Sequence, residues 1–335
     1  MLAPQIFKNP EHQATFEKQG FVVIPSFLNT EEVQHMDKLF DELHPELAES
    51  GFFAGVYSSD LDYKKKVSEE VKVVYKRTYE NTFINYTPFG GAYLHKISSP
   101  NSDLFVHQDW TVVEEEKHVA LNIWVPLCDI TPENGPLMVL PGSQYSAFKT
   151  LRAPTMRFFF DNDSNRVIDQ LESLIVNAGD AVILNQSLIH YSPPNVSGKI
   201  RKAITAGVKT KDAQMIFHYK DQNRSDDSIE KFEMEDDFFI QFENFFKDIF
   251  KRPKMGKSIG SINYSVPMLT ESELELVLKK MKTEAGFRYK EPEIEITKEE
   301  VSESNSQQVN VKKSFWQVYS IKNMIREIQF RVTKK

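Results

Sequence analysis

The chain has 335 residues, of which 40% are apolar, enough for one large elaborated domain or two small ones. Its formal net charge of −7 argues against a broad nucleic-acid footprint, which needs a basic face. A single cysteine, Cys128, rules out an internal disulfide scaffold. No stretch approaches the roughly 18 apolar residues of a membrane span, so no integral membrane segment is expected. The polar N-terminus, with Lys8, Glu11, Glu17 and Lys18, lacks a signal-peptide core. A cytoplasmic location is the natural expectation.

Residues 10–19 read as a short polar helix and "FVVIP" at 21–25 as a buried strand. A second helix follows from 29. Asn29 is its N-cap, Glu32 completes a capping box, and Val33, Met36, Leu39, Phe40 and Leu43 form one stripe ended by Pro45. The lysine-rich "YKKKV" at 63–67 reads as a solvated loop. From about 80 to 210 the texture changes to short apolar runs between turn signals: "LFVHQDW", "VALNIWVPL", "PLMVLPG", "LIVNAGDAVIL" and "IRKAITAGV". That pattern predicts an all-β barrel or sandwich. The 25 phenylalanines suit such an aromatic-rich core.

Residues 211–290 read as more helical, with the Phe-rich "DDFFIQFENFFKDIF". Residues 291–310 are polar and acidic, a mobile linker. The expected layout is therefore a core over 1–220, a helical extension packed on it over 221–290, and an appended segment over 291–335. That last segment regains a stripe of Phe315, Val318, Ile321, Ile325 and Ile328, with Trp316, Lys322 and Arg326 beside it. Three hosts are open for the stripe: the core's own flank, a second copy in a homo-oligomer, or a carrier or membrane surface.

Three stretches carry histidine two residues before an acid: His35/Asp37, His44/Glu46 and His107/Asp109. With eight histidines and 48 acidic residues, chance supplies roughly one such hit. Local structure separates them. Positions two apart on a helix diverge, which removes His35 and Asp37, and Pro45 interrupts the second pair. His107 and Asp109 lie in a predicted strand, where residues i and i+2 share a face roughly 6.5 Å apart. His190, after the apolar strand "GDAVILNQSLIH", is the candidate third ligand. Two histidines and one carboxylate form a facial triad that leaves iron positions open for O2 and a bidentate oxo-acid. Downstream, Arg201, Ala203, Thr205 and Gly207 would share one strand face, and Ile200, Ile204, Ala206 and Val208 the other. One guanidinium above small residues suits a dicarboxylate. Lys199 and Lys202 are the competing cations.

Taken together, "FEKQGFVVIPSFLNTEEV", "HQD", "LNIWVPLCDITPENGPLMVLPGSQ", "GDAVILNQSLIHYS" and the downstream arginine resemble the phytanoyl-CoA dioxygenase family of iron(II)/2-oxoglutarate oxygenases over about 15–220. The resemblance implies a mainly β fold with flanking helices, a double-stranded β-helix of the cupin-like jelly-roll type. It implies Fe(II), 2-oxoglutarate and O2 as cofactors, with ascorbate helpful in vitro. Its metal ligands fall on His107, Asp109 and His190, and its 2-oxoglutarate arginine on Arg201. Gln108, Trp124 and Ser192 fall on further cosubstrate-pocket positions, and Lys96 on a pocket-wall position that is also open to a solvated reading. Asp109 separates the chain from related halogenases, which carry a small residue there. Hydroxylation of an aliphatic C–H of a small molecule, with release of succinate and CO2, is the expected reaction. Cyclisation, desaturation or epoxidation would use the same triad, and a silent jelly-roll binding protein is a third reading. No basic patch for coenzyme A is evident in the first half.

Overall fold

A computed structural model describes residues 5–144 and 150–285; the expected linker and C-terminal stripe at 291–335 lie outside the described residues. The N-terminal helices form where the sequence places caps. Helix α1 (Pro10–Gln19) starts at Asn9, whose side chain accepts from the Glu11 amide at 2.8 Å. Strand β1 (Phe21–Ile24) leads to helix α2 (Thr30–Leu43). There the Asn29–Glu32 capping box closes reciprocally, each bond 2.8 Å long. Met36, Leu39 and Phe40 of its stripe are buried.

Strand β2 (Gly51–Ala54) precedes helix α3 (Leu61–Thr82), which overturns the loop reading of 63–67. The lysine run lies in the first turns of a helix whose Val67, Val71, Val74 and Tyr75 face inward. Lys65 and Lys66 are exposed, but Lys64 is buried.

The remaining strands of the jelly roll are β3 (Tyr86–Ile97), β4 (Leu104–His107), β5 (Ala120–Pro126), β6 (Leu137–Val139), β7 (Glu172–Leu174), β8 (Ala181–Asn185), β9 (His190–Ser192) and β10 (Arg201–Thr210). A short helix, α4 (Ser164–Ile168), precedes β7. A six-stranded sheet runs β1-β8-β5-β10-β3-β2, and a four-stranded sheet runs β4-β9-β6-β7, with antiparallel pairing throughout. This is the jelly roll expected from the sequence. One face of the large sheet presents Ile183, Ile204 and Val208 to a core shared with Met36, Phe40, Val71 and Tyr75 of the helices. The Tyr75 hydroxyl donates to the Ile204 carbonyl at 3.3 Å. The other face lines a cavity.

Residues 211–290 depart from the helical expectation. Among the described residues they hold a third antiparallel sheet of β11 (Met215–Tyr219), β12 (Ser228–Met234) and β13 (Lys257–Asn263), with a 3-10 helix at Phe238–Gln241, the short α5 (Phe245–Asp248) and α6 (Glu271–Ala285). In β12, the buried residues Ile229, Phe232 and Met234 are spaced three and then two apart. A register irregularity between Glu230 and Phe232 produces that spacing, which follows neither strict strand alternation nor a helical stripe. Among the described residues, no helix is long and apolar enough to cross a membrane.

The capping box makes a direct prediction. Asn29→Ala should cost about 1 kcal/mol of stability, read as a lower urea midpoint with an unchanged slope. An unmoved midpoint would mean that the cap contributes nothing.

Candidate metal and cosubstrate site

Three side chains converge where β4 meets β9. His107 and His190 are register partners across that antiparallel pair, so their side chains leave the sheet on the same face. The Nδ1 of His107 lies 2.7 Å from the Phe105 carbonyl, and that of His190 lies 2.9 Å from the Leu188 carbonyl. A carbonyl only accepts, so each Nδ1 carries a proton and each Nε2 is the ring nitrogen turned to the site. Both Nε2 atoms point towards the Asp109 carboxylate, Oδ1 lying 3.8 Å from His107 and 4.0 Å from His190. One donor atom from each of the three lies within 4.8 Å of the others, a span that a single ion can bridge. Burial and the neighbouring imidazole of His190 push the His107 pKa down to about 4, which keeps the ring neutral near pH 7.

Strand β4 ends at His107, so Asp109 is not held by the strand alternation that the sequence suggested. Other groups fix it. Asn122 of β5 donates to Asp109 Oδ2 at 3.2 Å and accepts in turn from the Thr205 hydroxyl. Oδ1 is the oxygen turned to the two imidazoles. The backbone of Asp109 is held by Arg152, whose Nε donates to the Asp109 carbonyl at 2.7 Å. Arg152 is itself buried and forms an ion pair with Glu115. Neither Asn122 nor Arg152 stands out in the sequence.

Arg201 opens β10 on the cavity face. It is 3% exposed, its Nε has no hydrogen-bond partner, and its guanidinium carbon lies 5.5 Å from the centroid of the Trp124 ring. Burial lowers its pKa to about 10, so it remains a cation at pH 7. The rival cations stand elsewhere. Lys199 is exposed, and Lys202 pairs with Asp37 and Asp41 of α2 at 2.8 and 2.7 Å. A buried guanidinium with an orphaned N–H suits a dicarboxylate such as 2-oxoglutarate.

The other sequence candidates take distinct places. Gln108 lines the cavity and donates from Nε2 to the Ser187 carbonyl at 2.5 Å. Ser192 lines it too, its hydroxyl donating to the Gly135 carbonyl at 3.0 Å. Trp124 lies beneath Arg201. Lys96 is fully buried rather than solvated, and it does not line the cavity. Its amine donates to the carbonyls of Ser192 and Pro193, which ties β3 to the strand carrying His190. Burial and then the nearby Arg201 lower its pKa to about 6. Uncharged at pH 7, it does not compete with Arg201 for an anion.

All four groups, His107, Asp109, His190 and Arg201, line one cavity of about 330 Å³. A 2-His-1-carboxylate set beside a buried arginine in a jelly roll is the arrangement of a non-haem iron, 2-oxoglutarate-dependent oxygenase. The family model described as phytanoyl-CoA dioxygenase (PhyH) matches residues 16–203, and the chain belongs to that family. Its cofactors are accordingly iron(II), 2-oxoglutarate and O2. The chain is 24% identical over 255 residues to a phytanoyl-CoA dioxygenase domain-containing protein 1 homolog of Dictyostelium discoideum, covering 58% of this chain and 89% of the relative. It is 22% identical over 259 residues to a phytanoyl-CoA dioxygenase of Arabidopsis thaliana, covering 61% and 89%. Similar solved structures include the non-haem α-ketoglutarate-dependent carbocyclase SnoK from nogalamycin biosynthesis, with a TM-score of 0.47 and 20% identity over 62% of this chain and 86% of that one. Another is HygX from Streptomyces hygroscopicus with nickel and 2-oxoglutarate bound, with a TM-score of 0.44 and 18% identity over 60% and 86%.

The hold of Asn122 on Asp109 is testable. Asn122→Ala should weaken iron(II) binding about ten- to a hundredfold while the far-ultraviolet circular dichroism stays unchanged. Equal affinity in an anaerobic titration would remove Asn122 from the site.

Proposed function

We propose that the chain hydroxylates an aliphatic C–H of a small molecule, coupled to conversion of 2-oxoglutarate to succinate and CO2. The observation that carries this reading is the meeting, in one cavity, of three convergent donors and a buried guanidinium whose Nε has no partner. The assignment of His107, Asp109 and His190 as the iron ligands and of Arg201 as the 2-oxoglutarate anchor is part of the proposal. The iron centre, with 2-oxoglutarate and O2, supplies the oxidising power.

The protein's residues bind and orient. His107 and His190 each hold a proton on Nδ1 against a carbonyl, so neither imidazole rotates away from its task. Asp109, steadied by Asn122, completes the donor set and leaves no room for a halide in its place. Arg201 takes the distal carboxylate of 2-oxoglutarate, with the Ser192 and Thr205 hydroxyls on the same wall. The cavity is lined largely by apolar side chains, which lowers the local polarity around the reacting carbon. No side chain needs to act as a general base.

Removing Arg201 isolates the cosubstrate step. A charge-assisted pair is worth about 1.5–3 kcal/mol, so Arg201→Ala should raise the 2-oxoglutarate requirement about ten- to a hundredfold. Iron(II) affinity should change little. Succinate release over a library of small molecules, with iron(II) and ascorbate present, is the measurement, and mass spectrometry of the product distinguishes hydroxylation from other oxidations. An unchanged 2-oxoglutarate requirement would overturn the assignment of Arg201.

A further inference from the structure

The part of the cavity wall beyond the donor set is different in kind. Trp110 follows Asp109 directly in the chain and begins a run of rings. Its indole lies 6.0 Å from Phe245 at an interplanar angle of 11°, and 5.8 Å from Phe239 at 30°. Phe239 in turn lies 5.9 Å from Phe89 at 20°, and Tyr57 lies 5.3 Å from Phe245. All five rings line the cavity that holds the donor set.

This aromatic wall is braced from outside. Phe239 and Phe245 come from the segment that joins β12 to β13 of the third sheet, and α3 holds that segment at two points. Buried Lys64 donates to the Phe242 carbonyl, and Lys72 pairs with Asp237 at 2.6 Å. Asp237 also accepts from the Gly90 amide at 2.8 Å, next to Phe89. The tip of the Phe89 ring abuts Gly207 of β10, where a Cβ would come within 2.2 Å of it. The rings are set before any ligand arrives.

Charge is confined to the other wall. Among the described residues lining the cavity, Arg201 is the only Lys or Arg and Asp109 the only carboxylate. If the oxygenase reading holds, 2-oxoglutarate occupies the first and the metal the second. A phosphate or carboxylate on the substrate then finds no cation here, and an ammonium finds no counter-charge. Near-parallel rings favour a flat partner over a flexible chain, through quadrupole contacts that add to simple burial.

We infer that this wall is the substrate subsite, and that it takes an uncharged, planar ring system entering free of a phosphate-bearing carrier. Trp110, Phe239 and Phe245 are its specificity-determining residues. The inference relies on the oxygenase reading only for the occupancy of Arg201 and Asp109.

Equilibrium dialysis of the full chain against 2-naphthol, 1-octanol, octanoyl-CoA and benzyltrimethylammonium tests it, with and without nickel(II) plus 2-oxoglutarate. The expected result is that 2-naphthol binds most tightly of the four. Phe239→Leu and Phe245→Leu keep apolar volume but remove a ring, and each should weaken 2-naphthol by about tenfold while leaving 1-octanol unchanged. The leucine variants are chosen because alanine could disturb the packing; circular dichroism confirms their fold. His107→Ala should still bind 2-naphthol without metal, so failure of the metal assignment leaves this result readable. Tighter binding of octanoyl-CoA or of the ammonium, absence of 2-naphthol binding, or indifference of 2-naphthol to both leucine variants would each overturn the inference.

Discussion

His107 and His190 face each other across the β4–β9 pair, and the rest of the site depends on that register. A slip of one residue would turn one imidazole to the opposite face of the sheet and separate the donors. The register is held locally from both sides. Leu140 donates its amide to the Ile189 carbonyl, and the Ile189 amide donates to the Ser143 hydroxyl, which fixes the approach to His190. At the other end Lys96 clasps the carbonyls of Ser192 and Pro193. Given that register, the two Nδ1–carbonyl bonds aim the ring nitrogens, and Asn122 brings the carboxylate to meet them.

The electrostatics follow from burial. Lys96 and Arg201 are register partners on neighbouring strands, so two cations would lie side by side in a low-dielectric site. The amine yields and the guanidinium does not: Lys96 falls to about 6, whereas Arg201 falls only to about 10. The result is one positive charge beside one carboxylate in a largely apolar cavity. Lys96 keeps a structural task through its hydrogen bonds, and Arg201 keeps an N–H free for a ligand. This division explains how a lysine is accommodated beside the buried arginine.

How much of this was legible depended on whether the signal was local. The capping box of α2, the strand runs and the removal of His35/Asp37 as a helical pair follow from spacing within a few residues, whereas Asp109 lies beyond the end of β4 and is placed by longer-range contacts. Small residues follow Arg201 on its own strand face, but beside Lys199 and Lys202 it was equally open to a surface reading, and only the family resemblance singled it out. Asn122 and Arg152 did not stand out. Their types are ordinary, and they reach Asp109 from 13 and 43 residues away. Helix α3 carried a helical stripe in Val67, Val71 and Val74, but the lysine run at its start masked it. In the 211–290 region the helical reading came from the Phe-rich run, which does hold short helical turns at Phe238–Gln241 and Phe245–Asp248, and it hid the strands on either side. The Phe-rich segment that read as an extension instead supplies Phe239 and Phe245 to the cavity, a role set entirely by tertiary contact.

Diffraction at the iron absorption edge, from crystals grown anaerobically with iron(II) and 2-oxoglutarate, tests the central claim most directly. The account predicts one anomalous peak bounded by His107 Nε2, Asp109 Oδ1 and His190 Nε2, each about 2 Å away, and density for 2-oxoglutarate ending on the Arg201 guanidinium. A peak at other residues, or a cosubstrate carboxylate held by another cation, would contradict it.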